Sequence, residues 1–168
     1  MIDVGYVRTM ARYNRWQDRN LYDAAGGLTD EARRRDRGAF FGSIHRTLSH
    51  LLWADVMWMS RLGGWDRPDV GGDGSADWVS DWDDLRARRR AADDRMVDWA
   101  DGLADADTGG RVAWYSGILK RDTEADRALC LTHMFNHQTH HRGQVHAMLT
   151  AAGATPGATD LFVMPDDA

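Results

Sequence analysis

From about Thr123 to Ala152 the chain runs without a proline and reads as one long helix that stops at Gly153, with Pro156 beyond. On a wheel turning about 100° per residue, the stripe that should bury itself holds Cys130, His133, His137, His141, Gln144 and Met148. A helix with that stripe can pack only where its polar groups find partners. Each buried polar group left unsatisfied costs roughly 1–3 kcal/mol. His137 and His141, four residues apart, lie one turn from each other on one face and can converge on one ion. The stretch "THMFNHQTHHRGQVHAML" therefore predicts a metal-binding face, with His140 at its margin and His146 pointing nearly opposite.

Three other segments keep helical rhythm. The first spans about Asp3 to Ala25, with Tyr6, Met10, Tyr13, Gln17 and Leu21 near one face, and ends at Gly26 and Gly27. The second spans about Phe40 to Leu62 and carries a wide stripe of Ile44, Leu48, Leu51, Asp55, Trp58 and Leu62. The third spans about Ser80 to Leu103, with Ser80 and Asp83 arranged like a capping box. Four long helices with mixed connections predict an all-α, four-helix-bundle architecture. A short hairpin is expected before the last helix, with "RVAWY" and "GILKR" as its strands around Ser116-Gly117. The glycine-rich connection "RLGGWDRPDVGGDGSADW" is long enough to be functional, and its residues 63–75 suit a lid.

At 168 residues, 43% hydrophobic and 10% aromatic, the chain suits a single folded domain over residues 1–168. A formal charge of −5 argues against general nucleic-acid binding. The arginine runs "EARRRDRG" and "RARRRAADDR" read as solvated faces. No apolar run is long enough to span a membrane, and "MIDVGYVRTMARYNRW" lacks the layout of a signal peptide. Cys130, the single cysteine, excludes an internal disulfide, fits a reducing cytoplasm and reads as a small buried hydrophobe. Only Glu31 and Glu124 are glutamates, too few for a di-iron carboxylate bundle.

A metal site needs at least one ligand beyond His137 and His141. The second helix offers His45 and His50, five residues and so about 140° apart. Both cannot aim at one ion, and periodicity alone neither chooses between them nor excludes His133. Asp55 lies within the apolar stripe, where a bonded supporting role suits it better than ligation. In "RGQ", Gly143 would permit close helix approach, and Gln144 can bond a ligand imidazole or a bound water.

"GAFFGSIHRTLSHLLWADVMW", followed by "NHQTHHRGQVHAML" and preceded by "YNRWQDRNLYDAAGGL", resembles the DinB family, within the DinB/YfiT-like superfamily. The resemblance implies a four-helix bundle, commonly a homodimer, with one divalent metal held by three histidines. Carried onto the matching positions, these are His50, His137 and His141. His133 and His140 fall outside that pattern and would line the cavity or bond elsewhere. Zinc or nickel is the first expectation for the metal, with iron and manganese also accepted by such a triad. Three neutral ligands leave an open position, the pattern of a catalytic rather than a closed structural site. Some superfamily members resemble S-transferases acting with a low-molecular-weight thiol, others hydrolases or isomerases. The expected function is thus a metal-dependent thiol S-transferase or hydrolase on a small molecule. The alternative is a non-catalytic, metal-binding or stress-related dimeric bundle.

Overall fold

The computed structural model describes residues 2–168. Its elements are α1 (Val4–Gly26), α2 (Asp30–Arg34), α3 (Ile44–Leu62), α4 (Trp82–Asp101), strands β1 (Arg111–Ser116) and β2 (Arg121–Asp126), and α5 (Arg127–Ala151). The protein is mostly helical, with one two-stranded sheet among the described residues.

Each helix start has a chemical cause. Asp3 accepts from the Tyr6 amide to begin α1, and Ser43 accepts from Arg46 to begin α3. Asp81, not Ser80, caps α4 by accepting from the Asp84 amide, so the helix starts one residue later than expected and without the expected box. Thr29 caps the short helix α2 by accepting from the Ala32 amide. α5 starts at Arg127 because residues 123–126 belong to β2. Its end matches expectation: Gly153 sits at φ 82°, and the Ala154 amide bonds the Leu149 carbonyl at 3.0 Å.

α1 lies against α4 and α5, and α3 lies against the same two helices. His50 near the start of α3 meets His137 of α5, while Leu62 at the other end accepts from Arg127. α3 and α5 therefore run in opposite directions. Leu48, Leu52 and Met59 from α3 meet Leu131, Met134, Phe135 and Leu149 from α5 in one core, completed by Leu85 and Met96 of α4. Burying each such side chain contributes about 1.5–3 kcal/mol.

The hairpin pairs Arg111 with Asp126 and Ser116 with Arg121, so the second strand is RDTEAD rather than GILKR, most of which forms the turn Gly117–Lys120. Alternation turns Val112, Trp114 and Ser116 toward the helices. The second strand has no apolar alternation and is held by its register and by Arg111, which bonds Glu124 and Asp126.

Arginine burial departs from the solvated-face expectation. Arg33 and Arg89 are both buried, and Arg89 is 2% exposed. Arg89 Nη1 lies 2.5 Å from Asp55 Oδ2, and its Nη2 lies 2.7 Å from Asp93 Oδ1. Asp18 stands 3.4 Å from Nε. Gln138 donates to Asp55, Arg142 donates to Gln138 and Asn14, and Asn14 donates to Asp18. These contacts close a buried polar ring through α1, α3, α4 and α5. Burial opposes the charge on Arg89, but Asp93, Asp18 and Asp55 outweigh it and hold its pKa well above the usual arginine value.

Candidate metal centre

The crossing of α3 and α5 brings His50, His137 and His141 together, with one ring nitrogen of each within 4.8 Å of the others. Two donors on one tetrahedral zinc, each about 2.0–2.1 Å from it, stand about 3.4 Å apart. His50 Nε2 and His137 Nε2 are 3.5 Å apart. The His50–His137 pair thus fits a divalent ion in spacing, and all three donors fit one in chemistry.

Hydrogen bonding at the far side of two rings assigns their tautomers. Ser75 Oγ donates to the Gly72 carbonyl at 2.6 Å, so it can only accept from His50 Nδ1, 2.8 Å away. The lone pair of His50 is then on Nε2, facing the cluster. Gln144 Oε1, a pure acceptor, lies 2.8 Å from His141 Nδ1 and leaves that ring's Nε2 lone pair free in the same way. The Gln144 amide nitrogen is 3.2 Å from His140 Nε2, to which it donates. His140 therefore acts on the cluster through Gln144.

Electrostatics keep the imidazoles neutral. Burial, then His141 and His137, lowers the His50 pKa to about 3. Burial, then His141, His133 and His140, lowers His137 to about 4. His141 is pushed down chiefly by burial, against the pull of Gln144. Neutral imidazole is the form that donates a lone pair to a metal.

The remaining sequence candidates separate clearly. His45 turns away and bonds the Val79 carbonyl at 2.9 Å, so it does not join the cluster. His133 is exposed, with its ring 5.9 Å from that of His137. Asp55 is not in the cluster; it belongs to the buried ring, where it bonds Gln138, the residue next to His137. A Cβ on Gly143 would meet nothing within 4 Å, so close helix approach is not its role. Cys130 is buried, and that burial raises its pKa.

Two contributors escaped the sequence reading. Ser75 comes from the glycine-rich connection, which is anchored to α3 by Trp53 donating to the Val70 carbonyl and Ser49 donating to the Ser75 carbonyl. Phe41 stacks on His50 with ring centroids 4.0 Å apart and also approaches His141. Its position between Gly38 and Gly42, both at positive φ, is a local signal of a shaped loop.

Comparison with known proteins places the chain by sequence and fold. A family model described as "DinB family" matches residues 1–167. "Protein DinB" of Bacillus subtilis is 24% identical over 155 residues, covering 88% of this chain and 87% of that protein. The crystal structure of a DinB-like protein from Bacillus cereus is similar in fold, with a TM-score of 0.57 and 18% identity. That likeness covers 87% of this chain and 90% of the other.

Proposed function

The chain belongs to the DinB family, and from that premise we propose that His50, His137 and His141 hold one divalent metal ion in an enzyme acting on a small molecule. The observation that carries this reading is the pair of polar anchors, Ser75 and Gln144, which turn the Nε2 lone pairs of His50 and His141 toward the cluster. A histidine cluster formed only for packing has no need of that orientation. Zinc and nickel suit three neutral imidazoles best, and iron or manganese are accepted less readily. A bound ion supplies Lewis acidity at an open coordination position.

The chain's own residues do the rest. Ser75 and Gln144 hold the ligands in orientation, and Phe41 screens the His50 face from water. The reaction class we favour is thiol S-transfer with a low-molecular-weight thiol, or hydrolysis. The four long helices are read as one bundle, and the family resemblance supports a homodimer. Among the described residues no helix is long and apolar enough to cross a membrane. With Cys130 as the single cysteine, a reducing cytoplasm is the compartment we infer.

Elemental analysis of untagged protein, purified without a chelating column, tests the metal. About one divalent ion per chain is expected in wild type, and none in His50→Ala, His137→Ala or His141→Ala with helicity retained. Wild-type protein that takes up no zinc, nickel or manganese removes the enzymatic reading. Turnover lost in a folded His141→Ala separates an enzyme from a protein that only binds the ion.

A further inference from the structure

A track of rings leaves the histidine cluster along the α3–α5 seam. The His137 ring centroid is 5.9 Å from that of His133, which is 5.0 Å from Trp58, which is 5.6 Å from Trp114 on the hairpin. At the far end the Arg61 guanidinium lies over both indoles, 4.7 Å from the Trp58 ring and 5.4 Å from Trp114. His133 is exposed, and Trp58, Trp114 and Arg61 are half-buried, so the track is open to solvent along its length.

Arg61 has no partner that explains it. Among the described residues it makes no ion pair and no side-chain hydrogen bond, in a chain with 26 acidic residues against 21 basic ones. Burial and the nearby Arg67 both push its pKa down, a cost that an anionic ligand removes. Stacking on indole fixes the guanidinium plane while its N–H edge stays available, which suits a carboxylate held by paired hydrogen bonds. Arg95 stacks on Trp65 at 4.3 Å in a similar way, but no ring contact joins that pair to the histidines.

We propose that this track is the substrate-binding surface of the histidine centre, and that Arg61 selects a small organic acid. Its carboxylate meets Arg61, its apolar or aromatic body lies on Trp58 and Trp114, and its other end reaches the histidines. This rests on the histidine cluster being the reactive centre.

The test uses chelator-treated, metal-free protein, so that a carboxylate cannot bind through an ion. Calorimetry compares phenylbutyrate with phenylbutanamide, which has the same shape and no charge. Wild type is expected to prefer the acid by about tenfold, the scale of a charge-assisted hydrogen-bonded contact. Arg61→Met keeps a sulfur against the indoles and should lose the preference while binding the amide as wild type does. Arg61→Lys should keep part of it, and Arg95→Met all of it. Equal affinity for acid and amide in wild type, or a preference that survives in Arg61→Met, overturns the proposal. Metal content is read on the same proteins. Protein that takes up metal before chelation but shows no acid preference sinks this inference alone, whereas protein that takes up no zinc, nickel or manganese yet prefers the acid sinks the metal reading alone.

Discussion

Gln138 of α5 donates to the carboxylate of Asp55 on α3, directly behind the turn of helix that carries His137. The helix that presents two histidines to the cluster thus uses the adjacent residues, Gln138 and Arg142, to fasten itself to the interior. Replacing Asp55 by Ala leaves Arg89 with Asp18 and Asp93 but removes its 2.5 Å partner, and leaves the Gln138 amide without an acceptor. Breaking one arm of such a buried ion network costs about 3 kcal/mol. Urea unfolding of metal-free Asp55→Ala should show that loss, and a change below about 1 kcal/mol would mean the ring is not a stabilising network.

Ser75→Ala removes the acceptor from His50 Nδ1, and Gln144→Leu removes the acceptor from His141 Nδ1. Each should weaken metal binding by about 10–100-fold with the fold unchanged, because loss of such partners frees the ligand ring and its tautomer. Competition against a chromophoric chelator measures it. Wild-type affinity in both variants would remove the orienting role.

The depressed histidine pKa values set the direction of acid sensitivity. An unfolded histidine titrates near 6.5, while folded His50 and His137 titrate at about 3 and about 4. Between those limits the unfolded chain binds more protons, so stability rises with pH there. Metal-free protein should hold its full histidine contribution above about pH 6.5 and lose it progressively toward pH 4. Urea midpoints at pH 7 and about pH 5 check this, with a smaller drop expected in His50→Ala/His137→Ala. A midpoint that stays level or rises on acidification contradicts it.

Metal should stabilise by mass action. Zinc at a hundredfold excess over its Kd is expected to add about 2.7 kcal/mol to unfolding stability, and nothing in His50→Ala. Because His50 and His137 are already neutral at pH 7, uptake should release almost no protons from them. Calorimetry at about pH 6, below the ionisation of a metal-bound water, in two buffers of different ionisation enthalpy would then give the same heat; buffer-dependent heats there would mean protonated ligands.

The parts of the site legible in the sequence were those set by local geometry. His137 and His141 declare themselves because four residues make one helical turn. His50 needed the family resemblance, since the choice between it and His45 is made by the packing of α3 on α5, which no helical wheel contains. Ser75 lies 25 residues from His50 in an aperiodic, glycine-rich stretch, so nothing local marks it. Arg89 looks like its neighbours in "RARRRAADDR"; only the placement of Asp18 and Asp55 on other helices distinguishes it. The second hairpin strand was obscured for a related reason, being a polar segment that pairs through its backbone and register rather than through an apolar pattern.

The distance between the ligands along the chain has a consequence for biosynthesis. His50 and His137 are 87 residues apart, and the Asn14–Arg142 contact spans 128. A nascent chain emerging from the ribosome carries His50 long before either partner, and it cannot close the polar ring until the last helix is out. The histidine cluster therefore closes only after α5 has been made and packed against α3, not while α3 stands alone.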